Sequence, residues 1–169
     1  MFFSNHSDAA PVFTHRLTAI LEKMGALIWS RPFLRLICRV YRPVVEKEVH
    51  QLGLSGEDRV LFIGGGSLPY SAVLIHELTG ARVDVLDRDR QACLYARRIQ
   101  RHFSPNRFCV YCHCAQNCDP SHYLAVVVAR QVEAKETLVP YIEHNAMPGA
   151  KILVREGHCG STAARLIRK

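Results

Sequence analysis

Gly64-Gly65-Gly66-Ser67-Leu68-Pro69 follows an apolar run, Arg59 to Ile63, and opens a helical pattern, so it is the segment best placed to hold a nucleotide-like ligand. Glycine permits positive φ and close approach of a ligand to the backbone, and proline suits the first helical turn, where its missing N–H costs nothing. The form is G-x-G-x-x-P rather than the dinucleotide G-x-G-x-x-G, and alone it equally describes a tight strand-to-helix turn. Asp87 strengthens it. It ends the second β-run, 23 positions after Gly64, where a carboxylate can accept both hydroxyl protons of an adenosine ribose. Asp84 lies within that run, and Asp89 stands at a helix start, where N-capping is its ordinary role. Loop and acid together fit NAD or S-adenosylmethionine.

The elements that must position them read clearly. Short β-runs at Arg59–Ile63, Arg82–Leu86, Phe108–Cys112, Leu124–Val128 and Lys151–Val154 alternate with helical patterns at Tyr70–Leu78, Arg90–His102 and Lys135–Asn145. Leu124 to Val128 is apolar on both faces, as a buried parallel strand is. The alternation predicts an α/β fold, a Rossmann-like parallel sheet of about five strands with flanking helices. One more strand or helix fits around Ala163 to Ile167. From Thr14 to Gln51 the apolar residues recur at helical spacing, interrupted by Pro32 and Pro43, which predicts two or three short helices. The expected organisation is a helical cap over residues 1–57 and a ligand-binding domain over 58–169.

Asp58 to Ala72, with its Gly-Gly-Gly-Ser-Leu-Pro, and Val83 to Asp89 resemble the S-adenosylmethionine-binding half of the class I methyltransferase fold. The loop that ends in Leu-Pro is most similar to that of the nicotianamine synthases, which usually carry Gly-Pro-Leu-Pro where this chain has Gly-Ser-Leu-Pro. Met147 to His158 is similar to the same family's Pro-Gly turn into a fifth strand, followed by Arg155 and, here, His158-Cys159. The resemblance covers about Asp58 to Gly160. It implies S-adenosylmethionine as cofactor, with Gly64, Gly65, Gly66, Ser67, Leu68 and Pro69 along its methionine part and Asp87 on the ribose. It also implies that Arg88 flanks the adenine and that Cys114 and Ala115 stand where many relatives bind the adenine amino group. Ala129 and Arg130 would face the sulfonium. Compared with those families the chain reads as a short version, whose open sheet edge a second copy could cover.

Tyr41, Glu46 and Glu48 precede the first strand on the segment expected to cap the site. A carboxylate there could deprotonate an amine or hydroxyl nucleophile, and Glu46 with Tyr41 is the catalytic pair chosen, against an ordinary solvated helix face. Cys109, Cys112, Cys114 and Cys118 with His113 and His122 have enough soft ligands for zinc or an iron–sulfur cluster. Cys109 and Cys112 would point to opposite faces of a strand, however, so free thiols and no metal are expected. Arg31, Arg35, Arg39 and Arg42 form a cationic stripe that reads first as a solvated helix face.

The composition sets the outer bounds. The 169 residues are 49% hydrophobic and 22% charged, which excludes a disordered tail or a disulfide knot. The 22 Lys+Arg against 15 Asp+Glu leave a net charge of +7, which favours anionic partners. Without interleaved aromatics, nucleic acid ranks below an anionic small molecule. Seven cysteines is an odd number. With neither a secretory signal pattern nor a membrane-length apolar run, this points to reduced thiols in the cytoplasm. The expected activity is S-adenosylmethionine-dependent transfer to a small molecule, with methyl transfer ranked first. Nicotianamine-synthase-like aminocarboxypropyl transfer with release of methylthioadenosine comes second, and a non-catalytic binding protein third.

Overall fold

The computed structural model describes residues 31–102, 106–156 and 163–169, with side chains from residue 35 onward. Helix α1 (Arg31–Leu52) is followed by β1 (Arg59–Ile63), α2 (Tyr70–Thr79), β2 (Arg82–Asp87), α3 (Arg90–Gln100), β3 (Phe108–Cys112), β4 (Ala125–Val128), α4 (Lys135–Asn145), β5 (Lys151–Arg155) and β6 (Ala164–Arg168). Two 3-10 turns, Ala115–Asn117 and Pro120–His122, join β3 to β4. One six-stranded sheet has the order β3-β2-β1-β4-β5-β6, parallel throughout except for β6, which pairs antiparallel with β5. The strand order therefore reverses between β1 and β4, the place where open α/β sheets leave a crevice at the strands' carboxyl ends.

Both faces of the central strands are apolar, so both are covered. Val60, Phe62, Val83, Val85, Phe108, Val110 and Val127 pack against α1, α2 and α3. Leu61, Ile63, Leu86, Val126, Val128, Ile152 and Val154 pack against α4 and its surroundings. All five predicted parallel strands are present, and the further element near Ala163 is the sixth strand.

The predicted breaks in the N-terminal helical region do not occur between Arg31 and Leu52. One helix runs through, with Pro43 inside it. Pro32 falls in the first turn, where proline is tolerated. Pro43 removes only its own N–H bond toward the Arg39 carbonyl, and both residues are exposed, so water can take that acceptor. Cys38 on one side of Pro43 and Val45 and Leu52 on the other are buried in the same core, which holds the two halves in line. The reading for Thr14 to Ser30 lies outside the described residues, as do His158 and Cys159.

Candidate functional site

The glycine loop is shaped by the strands beside it. Gly64 N–H donates to the Leu86 carbonyl at 2.7 Å, and the Ala129 N–H donates to the Ile63 carbonyl at 2.9 Å. Gly64 and Gly66 have φ of +82° and +64°, which a side chain would strain. Space is also short. A Cβ on Gly64 would lie 2.5 Å from Val132 Cγ2, and one on Gly65 would lie 2.2 Å from Val85 Cγ1. The first two glycines are thus demanded by the protein's own packing before any ligand approaches. Pro69 sits one position earlier than the first helical turn, as the residue preceding α2, and the helix opens at Tyr70. Ser67 is buried with its hydroxyl unpartnered among the described residues.

Asp87 is tied into this loop. Its carboxylate accepts the Gly66 N–H at 2.7 Å on one oxygen and the Asp89 N–H at 2.9 Å on the other. Each carboxylate oxygen retains a lone-pair direction for a further donor. The two competing acids are spent elsewhere. Asp89 caps α3, accepting from the Gln91 and Ala92 N–H groups. Asp84 is buried against Arg59 at 3.1 Å and the Tyr123 hydroxyl at 2.9 Å.

A cleft of about 170 Å³ opens over Asp87, with Ile63, Leu86, Val132 and Leu138 as apolar walls and Arg88, Cys114 and Ala115 at its edges. Arg88 is exposed and pairs with Glu133 at 2.7 Å, joining the end of β2 to the segment after β4. An apolar slot beside a carboxylate with acceptor capacity suits an adenosine. A smaller cleft, about 30 Å³, lies on the α1 side of the loop and shares Gly64 and Gln131 with the first. Phe62, Gly65, Leu68, Pro69, Tyr70, Ser71, Ala129 and Arg155 complete its wall. Burial, and then the neighbouring Tyr41, push the Tyr70 phenol up to about 12. The two rings lie 4.4 Å apart.

Of the sequence-derived residues, Gly64, Asp87, Arg88, Cys114 and Ala115 meet in the larger cleft, while Gly64, Gly65, Leu68, Pro69 and Ala129 meet in the smaller. Arg130 lines neither, although its charge reaches Tyr70. Glu46 lies on the exposed face of α1, paired with Arg42 at 3.1 Å, and lines neither cleft. Glu48 instead is buried, 5% exposed, and takes Arg155 in two hydrogen bonds of 2.8 and 2.6 Å. Sequence reading missed Gln131, Val132 and Glu133, which follow β4 directly, and it missed Arg155 as a wall of the site. Gln131 donates to the Gly64 carbonyl at 2.7 Å, and adjacency of β1 and β4 was the available signal. Lys135 donates to the Arg130 and Arg155 carbonyls, binding the ends of β4 and β5 together.

The cysteines do not converge. Cys112 packs with Phe108 and Val110 on the α3 side, whereas Cys109 points the other way. Among the described residues no three His, Cys, Asp or Glu side chains form a group that could hold a metal ion. Burial first, then the Glu77 charge, pushes the Cys38 thiol up to about 11. Burial and then Cys112 push Cys93 up to about 12. Since the thiolate is the nucleophile, iodoacetamide at pH 8 is expected, among the six described cysteines, to alkylate the exposed Cys114 first and Cys38 and Cys93 last, as read by peptide mass spectrometry. Rapid labelling of Cys93 in the native protein would contradict the packing of α3 on β3.

No family model matches the chain. It is 30% identical over 118 residues to the L-histidine 2-aminobutanoyltransferase of Pseudomonas aeruginosa, covering 67% of this chain and 44% of that protein. The chain therefore spans less than half the length of the curated relatives it matches. A mutant of the nicotianamine synthase MtNAS in complex with S-adenosylmethionine superposes with a TM-score of 0.71 at 20% identity, covering 84% of this chain and 58% of that one. An RNA methyltransferase from Salinibacter ruber, solved with S-adenosyl-L-homocysteine, superposes with a TM-score of 0.61 at 16% identity, covering 68% and 76%. No helix among the described residues is long and apolar enough to cross a membrane. Strand order, switch-point cleft and superpositions agree: the chain has the class I S-adenosylmethionine-dependent methyltransferase fold, which it shares with nicotianamine synthase.

Proposed function

We propose that this protein is an S-adenosylmethionine-dependent transferase that moves the aminocarboxypropyl arm to the nitrogen of a small amine. The observation that carries the choice of group is the relationship to a 2-aminobutanoyltransferase. Sequence alone ranked methyl transfer first, and that relationship reverses the ranking. Bound S-adenosylmethionine supplies a carbon activated by the adjacent sulfonium, and transfer of the arm to an amine leaves methylthioadenosine.

The residues divide the work between the two clefts. Asp87 would accept the ribose hydroxyls while it fixes the loop through Gly66. Ile63, Leu86, Val132 and Leu138 would exclude water from the base, with Arg88 and Glu133 closing over the rim. Gly64 and Gln131 would stand at the junction of the clefts. On the acceptor side stand Tyr70, Ser71, Arg155 and, behind Arg155, Glu48. Acceleration would come chiefly from holding acceptor nitrogen and carbon in line, since positioning converts a two-body encounter into a local event.

Incubation with S-adenosylmethionine and L-histidine, followed by chromatography of the nucleoside product, tests the reading. Methylthioadenosine is the expected product. S-adenosylhomocysteine would establish methyl transfer instead. Calorimetric binding of S-adenosylhomocysteine without either product would leave a binding module, and tight NAD binding without response to S-adenosylhomocysteine would overturn the cofactor assignment.

A further inference from the structure

Cys112 meets a cysteine from another element, Cys93 of α3, beside the turn that carries Asp87. Cys112 ends β3 and stands opposite Asp87 in the pairing of β2 with β3. Cys93 lies in the first turn of α3, which opens at Arg90. Cys93 is buried in the core between α3 and the sheet, and Cys112 packs against that core while keeping partial access to water. The two thiols are within hydrogen-bonding reach of each other. The Cys93 thiol also donates toward the Asp87 carbonyl at 3.4 Å and the Tyr111 carbonyl at 3.6 Å. Only Arg88 and Asp89 separate Asp87 from α3. The Asp87 carboxylate in turn holds the Gly66 and Asp89 N–H groups at 2.7 and 2.9 Å. Any shift of α3 against the end of β3 therefore reaches the glycine loop through one side chain.

We infer that Cys93 and Cys112 are a reversible oxidation site: a peroxide joins them as a disulfide, and that bond displaces the Asp87 turn so that the nucleoside cleft holds its ligand less tightly. The effect on binding rests on the cofactor reading above, with Asp87 as ribose acceptor, whereas formation of the disulfide does not. In the first step the Cys112 sulfur attacks a peroxide oxygen. The O–O bond breaks, hydroxide leaves and takes up the thiol proton as water, and Cys112 becomes a sulfenic acid. The Cys93 sulfur then attacks the Cys112 sulfur. The S–S bond forms, the S–O bond breaks, and the Cys93 proton leaves with the hydroxyl group as a second water. Two thiols are oxidised and one hydrogen peroxide is reduced to two waters. Burial and the Cys112 contact keep Cys93 protonated and slow toward reagents in solution, but attack on a sulfur already in contact is a local event. Bonding draws the sulfurs from nonbonded contact to covalent distance. It also removes the thiol proton that the Asp87 and Tyr111 carbonyls accept.

The native chain, treated with hydrogen peroxide and then with dithiothreitol, provides the test. After oxidation, tryptic peptides 91–97 and 108–130 should be joined with loss of two hydrogens, and Cys112→Ser should give no joined pair. Hydrogen exchange should quicken in segments 64–69 and 87–92 of the oxidised protein. In calorimetric titration its affinity for S-adenosylhomocysteine should fall about tenfold, the scale of one charge-assisted hydrogen bond disturbed at Asp87. Dithiothreitol should reverse all three changes. Cys112→Ser, and Cys93→Ser from the α3 side, should bind as the reduced wild type does and lose no affinity on oxidation. Absence of the joined peptides, their persistence in Cys112→Ser, or an equal loss of affinity in the variants would each overturn the inference. A disulfide that changes neither exchange nor affinity would overturn it as well. Failure of the reduced wild type to bind S-adenosylhomocysteine would instead overturn the cofactor reading, and exchange alone would then decide whether the disulfide moves the turn.

Discussion

Asp87→Ala is expected to lower affinity for S-adenosylhomocysteine by about tenfold to a few hundredfold in calorimetric titration. Charge-assisted hydrogen bonds contribute roughly 1.5–3 kcal/mol each, and ~1.4 kcal/mol is one decade. The substitution removes the acceptor proposed for the ribose hydroxyls and also the anchor of the loop, because the carboxylate receives the Gly66 N–H at 2.7 Å and the Asp89 N–H at 2.9 Å. It should therefore destabilise the protein by about 1–2 kcal/mol as well, the cost of leaving partly buried donors unpaired. Sequence reasoning treats a strand-end acid facing a crevice as nearly free of structural duty, and the structure shows otherwise. Asp87→Asn should retain more stability than affinity, because the amide oxygen can still accept one backbone bond while the charge is lost.

The neighbouring acids should separate the two effects. Asp84→Ala leaves Arg59 and the Tyr123 hydroxyl without their buried acceptor, so thermal stability should fall while affinity changes little. Asp89→Ala removes an N-cap that receives two N–H groups of α3, worth about 1 kcal/mol. Loss of binding in Asp89→Ala with retention in Asp87→Ala would reverse the assignment.

The contrast between Asp84, Asp87 and Asp89 shows what a sequence can carry. The strand β2 is short and its apolar residues Val83, Val85 and Leu86 mark its span, so its end and hence the residue facing the crevice are fixed to within a residue. Its partners are not. Gly66 lies 21 positions before Asp87 in the chain, and only the turn geometry brings its N–H to the carboxylate. The segment after β4 was missed for a related reason. Gln131, Val132 and Glu133 carry no motif, and their place beside Gly64 follows from the pairing of β1 with β4, a contact between elements far apart in sequence. Pro43 misled in the opposite direction. A local rule forecast a break, and packing of Cys38, Val45 and Leu52 on both sides outweighed one lost helical hydrogen bond.

Glu48 is the residue where a legible signal went unused, and its replacement by alanine should be strongly destabilising. Glu46 and Glu48 are two residues apart, about 200° round a helix, so they cannot share a face. The buried positions Cys38, Val45 and Leu52 set the inward phase, and Glu48 follows Val45 by three and precedes Leu52 by four. A carboxylate in that phase must find a cation, and the one that reaches it is Arg155, 107 positions later in the chain. Removing one member of such a pair leaves the other buried and uncompensated, at about 3 kcal/mol when, as here, the cation keeps some access to water. A midpoint fall of roughly 6–12 °C in thermal denaturation should follow for a chain of this length. Glu46→Ala breaks only an exposed pair with Arg42, where both side chains are about half exposed, and should cost under about 0.5 kcal/mol. Glu48→Gln keeps the shape and one acceptor, so its loss should fall between the two. If Glu46→Ala and Glu48→Ala melted at the same temperature, α1 would not be seated on the sheet in the phase described.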